Sequence, residues 1–318
     1  MKVYLPTKQS PSTGKGLFLN RLLPELRDLD VEVTNKASSK CDISLHLTTV
    51  KKDASFGCNI VRYDGIYHNT SQDYKAINDN IRKKNNRLDA IIYQSRFGQH
   101  MVENYIRNSN VLKTVIFNGA DPNYFDDVEE AKSDYEINIL AFARWRPHKR
   151  LKPIIKSFLA AGIPNSNLWI AGDLSQSGID NKKIKKYFSY DNVNHLGGLS
   201  FTNLSRYIKA ADAIVHLCWL DWCPNSVVES ICASKTVICN NVGGTHEIVG
   251  PSNGIVCDID KHYDCKPVEL YHPPKININI VVEALMKSIE KRDINTTHVD
   301  IKNIAKQYKS FFLKALER

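Results

Sequence analysis

Two acidic residues, Asp221 and Glu229, stand with seven residues between them in the run Trp219-Leu220-Asp221-Trp222-Cys223-Pro224-Asn225-Ser226-Val227-Val228-Glu229. Beyond them lie a small-residue helical segment, a β-branched run and the sextet Val242-Gly243-Gly244-Thr245-His246-Glu247. A carboxylate accepts two hydrogen bonds at once and so suits a diol. Earlier, Arg144-Trp145-Arg146-Pro147-His148-Lys149-Arg150 follows an apolar run and precedes an amphipathic segment. Arg144 and Lys149 there converge on an anion at a strand end and helix start, or simply make a basic turn. Arg62, Asp64 and His68 share a second loop, read either as substrate-facing or as an Asp-Gly turn with an ordinary histidine. Gly14-Lys15-Gly16 follows a loop rich in Ser, Pro and Thr and offers a phosphate contact or a plain tight connection. It lacks the third glycine of a dinucleotide fingerprint and the Gly-Lys-Ser/Thr of a Walker loop.

These groups need elements that carry them to one place. Strand-like runs recur at residues 2–5, 31–33, 43–47, 59–62, 90–93 and 115–117, with helical segments at 74–84 and 97–107. Asn118-Gly119-Ala120-Asp121-Pro122-Asn123 is a cluster of turn formers and marks a domain boundary. Alternation resumes with strands at 137–143, 168–171, 193–196 and 213–217 and helices at 151–161 and 204–209. Gly172-Asp173 and Gly197-Gly198 end two of those strands. Strands alternating with helices predict parallel sheets, whose ligands bind beyond the carboxyl ends of the strands. Two such halves predict twin Rossmann-like domains facing a cleft, residues 1–120 and 121–300. After Gly250 the pattern loosens: residues 261–280 read as a surface excursion, followed by helices at 281–291 and 301–316. The last of these, in the segment 301–318, is expected to cross back and pack on the first domain.

The chain has 318 residues and a formal charge of +9, from 43 Lys and Arg against 34 Asp and Glu. That favours anionic partners. The basic clusters Arg82-Lys83-Lys84 and Lys182-Lys183-Ile184-Lys185-Lys186 read as solvated helix faces. With no basic stripe interleaved with aromatics and no recognisable module, nucleic acid is set aside as a partner. None of the eight cysteines forms a C-x-x-C pair, so reduced thiols are expected rather than disulfides or zinc. The triplets Asp28-Leu29-Asp30 and Asp258-Ile259-Asp260 are assigned no metal. No leader and no bilayer-length apolar run is apparent, so a soluble cytoplasmic protein is expected.

In order along roughly 130 residues, the motifs resemble those of the retaining glycosyltransferases of family 4, which have the two-domain GT-B fold. Asn118-Gly119-Ala120-Asp121 is similar to the family's Asn-Gly-x-Asp linker, and Arg144 with Lys149 to its Arg and Lys pair. Ala171-Gly172-Asp173 and His195-Leu196-Gly197-Gly198 resemble its glycine turns. Asp221 with Glu229 resembles its paired acids, and residues 242–247 its Val-Gly-Gly-x-x-Glu. The first domain matches only loosely.

The resemblance implies sugar transfer from a nucleotide diphosphate sugar, with retention of configuration and no cofactor or obligatory metal. Arg144 and Lys149 would hold the diphosphate, Glu229 the ribose hydroxyls, and Asp221 the transferred sugar. The amides of Asn225, Ser226 and Val227 would add a second anion site, and Gly14, Gly16, Gly172 and Gly198 would line the donor. In the first domain Asp64 is the preferred sugar- or acceptor-contacting group, with Arg62 and His68 on the acceptor side. The family usually has Glu where Asp221 stands, one methylene longer. The acceptor would be a glycan, a lipid-linked sugar or a protein, the second reached by peripheral docking on an anionic membrane face. The competing reading is a sugar-nucleotide-binding protein of the same fold without turnover.

Overall fold

The structure is a computed structural model that describes residues 1–6, 13–38, 40–51, 56–107, 109–175 and 181–318, with the backbone alone for residues 181 and 182. The Ser/Pro/Thr loop at residues 7–12 and the side chain of Lys182 lie outside the described residues. The chain divides into two compact units. Unit 1 comprises Met1–Asp121, Asp264–Val268 and Thr297–Arg318; unit 2 comprises Pro122–Tyr263 and Glu269–Thr296.

Unit 1 carries strands β1 (Lys2–Tyr4), β2 (Glu32–Thr34), β3 (Ile43–Leu47), β4 (Cys58–Tyr63), β5 (Ala90–Tyr93) and β6 (Leu112–Val115), with helices α1 (Gly14–Asp28), α2 (Tyr74–Lys84) and α3 (Arg96–Tyr105). The strands pair in parallel in the order β2-β1-β3-β4-β5-β6. β3 and β5 are almost wholly buried, as a parallel sheet covered on both faces requires. The chain winds outward from β1 to β2 and then back through β3, so its direction reverses between β1 and β3.

Unit 2 carries β7 (Ile137–Phe142), β8 (Ser166–Ala171), β9 (Val193–Gly197), β10 (Ala213–His216), β11 (Thr236–Asn240) and β12 (Gly254–Cys257). Its helices are α4 (Leu151–Ala161), α5 (Asn181–Lys185), α6 (Phe201–Ala210), α7 (Asn225–Cys232), α8 (Thr245–Val249) and α9 (Ile278–Lys287). The order β12-β11-β10-β7-β8-β9 is again parallel throughout, and the winding reverses between β7 and β10. At such a reversal the loops leaving the two neighbouring strands part in opposite directions and open a crevice beyond their carboxyl ends.

The last helix, α10 (Ile301–Leu316), belongs to unit 1. Ile301, Ile304, Ala305, Tyr308, Phe311, Phe312 and Ala315 recur at helical spacing and enter one core with Phe18, Leu19, Leu22 and Leu26 of α1. Its start is stitched to the turn after β6: the Ala120 amide donates to Val299 at 3.0 Å, and the Ile301 amide to Ala120 at 2.9 Å. A Cβ on Gly119 would lie 3.0 Å from the Ile301 Cα, so the glycine permits this docking.

Two differences from the sequence reading have physical reasons. Strand β12 was not expected; it is a four-residue edge strand opening on Gly254, too short for a periodic signal. A Cβ there would meet the Val237 carbonyl oxygen at 1.9 Å, so only glycine admits the pairing. The expected surface excursion is instead tied into unit 1 along Asp264–Val268. The Val268 amide donates to His68 at 3.0 Å, the Thr70 amide to Val268 at 2.9 Å, and the Tyr105 hydroxyl to Cys265 at 2.6 Å.

Candidate functional site

Lys149 leaves the end of β7 and Asp221 follows β10, so the reversal point of unit 2 brings them together across 72 positions of sequence. The Lys149 Nζ lies 2.5 Å from Asp221 Oδ2. His216, the last residue of β10, places Nε2 3.3 Å from the same oxygen, and its Nδ1 lies 3.3 Å from the Ser226 hydroxyl in the first turn of α7. The other oxygen, Oδ1, accepts from the Trp222 amide at 2.9 Å. Ligand atoms of His216, Cys218 and Asp221 all lie within 4.8 Å of one another, but the Lys149 ammonium already occupies the cationic place against Asp221 and Cys218.

Three features hold this geometry. The Trp219 amide donates to the His148 carbonyl at 2.8 Å, zipping the loop after β10 to the turn after β7. Gly243, at φ +83°, passes so close to the other side of that loop that a Cβ would lie 2.8 Å from the Asp221 carbonyl oxygen. The Gly244 amide donates to that oxygen at 2.7 Å. Behind Lys149, Arg150 adopts a left-handed backbone (φ 55°) and is almost fully buried. Its guanidinium grips Asp260 through both oxygens, at 2.7 and 2.5 Å. Asp260 also accepts from Asn240 at 3.1 Å. The Asp-x-Asp triplet is therefore an internal counter-ion to an arginine.

Burial opposes the charge on Lys149, yet Asp221 beside it outweighs that and raises the ammonium above its ordinary range. Burial likewise opposes ionisation of Asp221, but Lys149 and then His216 hold the carboxyl well below the usual carboxylate range. The His216 ring, buried, is lowered by desolvation, which favours the neutral imidazole. His148, stacked on Tyr271 with ring centroids 5.4 Å apart, is pushed down to about 3, chiefly by burial and then by Lys149.

Glu229 sits buried in α7, one turn beyond Ser226. The cap of α7 is Pro224, which supplies no side-chain hydrogen bond, so the amides of Asn225 and Ser226 begin a helix without a competing side-chain acceptor at the cap. The amide of Val227, expected to share the anion, donates instead to the Pro224 carbonyl at 3.1 Å. Arg144 is exposed in the turn after β7. Gly172, at φ +121°, is required sterically, since a Cβ would meet the Ala143 carbonyl oxygen at 2.0 Å. A Cβ on Gly198 would make only an ordinary contact, 4.0 Å from the Asp173 Cβ.

In unit 1 the expected site residues are interior groups. Arg62 ends in a 1 % exposed side chain under the Phe18 ring, 4.3 Å away, and pairs with Asp64. It also donates to the Asn118 amide oxygen at 2.5 Å. Arg62 thus braces the loop rather than facing an acceptor, because α1 covers the end of β4. Asp64 is also buried; it accepts from Gln94 at 3.0 Å and lies 3.3 Å from Lys15 Nζ, which reaches Thr48 at 3.0 Å. His68 is buried where Val268 pairs with it, and desolvation lowers it to about 4. The Gly16 amide is taken by the Thr13 hydroxyl at 3.1 Å, a helix cap, while Gly14 is exposed.

Sequence reasoning missed His148, His216, Cys218 and the Arg150–Asp260 pair. A histidine closing an apolar strand five residues before an acid was the legible signal for His216.

Two α/β units, each built on a parallel sheet, make up the architecture of the GT-B glycosyltransferases. Within it, residues 124–264 match the family described as Glycosyl transferases group 1. No curated protein matches the chain. Among solved structures it is similar to Anabaena Alr3699/HepE in complex with UDP-glucose, at 18 % identity and TM-score 0.69, over 99 % of this chain and 100 % of that one. It is also similar to a sucrose-phosphate synthase (tll1590) from Thermosynechococcus elongatus, at 13 % identity and TM-score 0.67, over 98 % and 96 %. A glycosyltransferase from Rickettsia africae ESF-5 aligns at 14 % identity and TM-score 0.65, over 100 % and 99 %. At these identities the likeness is one of fold. Among the described residues, no helix is long and apolar enough to cross a membrane.

Proposed function

We propose that this protein is a glycosyltransferase of the family 4 type, moving a sugar from a nucleotide diphosphate sugar to an acceptor hydroxyl with retention of configuration. The observation that carries this reading is the meeting of Lys149, Asp221 and the start of α7 at the reversal point of unit 2, inside the segment that matches the family. When the glycosidic bond breaks, negative charge grows on the leaving diphosphate. The ammonium of Lys149, the exposed Arg144 and the leading amides of α7 oppose that charge. A resident ammonium in the cationic place supports a reaction that needs no metal. Glu229 binds the ribose diol, and unit 2 is the donor domain. The acceptor enters on unit 1, where Lys15, 40 % exposed, lies beside Asp64.

A melting screen with UDP, GDP and ADP tests the donor half, since a ligand of the folded state raises stability by RT ln(1 + [L]/Kd). Nucleotide release from the matching sugars then tests transfer, and NMR of the product's anomeric proton tests retention. Lys149→Ala should lower turnover about a hundredfold, by more than it weakens donor binding. Equal losses would mean that Lys149 binds ground and transition states alike.

One observation favours a second reading, a sugar-nucleotide-binding protein without turnover. Both oxygens of Asp221 are engaged within unit 2 and neither is offered to a sugar. Strong protection by one nucleotide with no release from any of its sugars would select it.

A further inference from the structure

The Asp221–Lys149 pair has a consequence for how a donor enters. Lys149 follows β7 at the point where the winding of unit 2 reverses, and its ammonium is held by a carboxylate at 2.5 Å. An anionic phosphate and a carboxylate compete for the same N–H donors with the same geometry. Displacing Asp221 would ordinarily leave a half-buried anion without a donor, at a full desolvation cost. Here it would not, because two other donors already converge on that carboxylate. The Trp222 amide serves Oδ1 at 2.9 Å and the His216 ring faces Oδ2 at 3.3 Å.

The direction of the histidine bond follows from the chemistry. An ionised carboxylate can only accept, so Nε2 carries the ring proton and Nδ1 is a bare lone pair. The Ser226 hydroxyl at 3.3 Å then donates to Nδ1. A chain therefore runs from the first turn of α7 through Ser226 and His216 to Asp221, independent of Lys149.

We propose that Asp221 keeps the place of the donor phosphate at Lys149, and that an incoming diphosphate takes over Lys149 while His216 retains the released carboxylate. His216 is on this view a positioning residue, and the carboxylate it retains becomes free to meet the sugar on its Lys149 side. This rests on the nucleotide-sugar reading above. The hand-over makes donor affinity a difference between two ion pairs, so the acid weakens binding of the diphosphate while it serves the transfer.

Calorimetry with UDP, GDP and ADP on the full chain tests it, using whichever diphosphate stabilises the wild type. Asp221→Asn should bind that diphosphate about tenfold tighter, as loss of a competing charge-assisted bond implies, and bind the bare nucleoside as the wild type does. Unchanged or weaker diphosphate binding overturns the hand-over. His216→Leu should weaken diphosphate binding about fivefold by removing a side-chain donor from the carboxylate, and His216→Gln, which keeps an N–H, should restore it; equal losses in both overturn the role of His216. Should Asp221→Asn not fold, a wild-type structure with the diphosphate bound decides: the Lys149–Asp221 pair must have parted, and a pair still in contact overturns the proposal. If no nucleoside diphosphate binds the wild type, the nucleotide-sugar reading falls and the hand-over with it. Binding by the wild type with no gain in Asp221→Asn sinks the hand-over alone.

Discussion

At the scale of single residues, the chemistry of this protein depends on which charges neutralise one another. Arg150 and Lys149 are neighbours in sequence and differ completely in role. Arg150 is buried and locked bidentate to Asp260, whereas Lys149 pairs with an acid that still has solvent beside it. Asp260→Ala should therefore destabilise the protein by about 3–5 kcal/mol, the cost of leaving a buried guanidinium without its partner. Urea unfolding would measure it, and a loss under about 1 kcal/mol would mean that Arg150 finds water instead. Gly243→Ala should also destabilise, by about 1–3 kcal/mol, because φ +83° is unfavourable for any Cβ and the backbone of Asp221 stands in its way. Its effect on nucleotide affinity should exceed that of Gly198→Ala, whose Cβ would make only an ordinary contact at 4.0 Å. Glu229→Ala should weaken binding of the nucleoside diphosphate about tenfold, and unchanged affinity in calorimetry removes Glu229 from the ribose.

At the scale of elements, strand ends and helix starts do the positioning. β7 and β10 are adjacent only because the winding reverses there, so the loops after them face the same crevice. α7 starts on a proline that supplies no side-chain cap hydrogen bond. α10 works differently, closing the core of unit 1 from the far end of the chain. Phe312 is fully buried in that core, so Phe312→Ala should cost about 3–5 kcal/mol in denaturant unfolding. A truncation before Ile301 should expose Phe18 and Leu22 and bring aggregation, which light scattering would register.

At the scale of the whole molecule, several buried histidines set the acid limit. His68 is lowered to about 4 and His148 to about 3, both chiefly by burial, and His46 and His216 are lowered as well. Between a pH of about 6.5, where unfolded histidine titrates, and about 4, the unfolded chain binds more protons than the folded one. Stability should therefore be fully present above pH ~6.5 and fall as pH drops through that window. Thermal melts should show a progressive decrease there, flattened in part by His68→Asn. A melting temperature flat between those values would mean that these rings are hydrated. The acidic pair Asp221 adds to this only at lower pH, since Lys149 keeps its carboxyl ionised.

Much of this molecule was legible in one dimension. Alternating apolar runs and helical stripes specified two parallel α/β units, since the period of burial is a local property of each element. The motifs at Arg144, Lys149, Asp221, Glu229 and Gly243 carried the expectation of anion and diol recognition, because those tasks demand particular side-chain types. The first unit shows where that logic ended. Arg62, Asp64 and His68 looked like a reactive loop, yet α1 covers the arginine and a strap from Asp264–Val268 covers the histidine. No periodicity announces a cover contributed from 200 residues away. The same holds for Lys149 and Asp221: sequence supplied a cation and an acid, and only the reversal of winding between β7 and β10 put them 2.5 Å apart. Residue types are chosen by chemistry and can be read singly, whereas pairings are set by topology and exist only once the chain has folded.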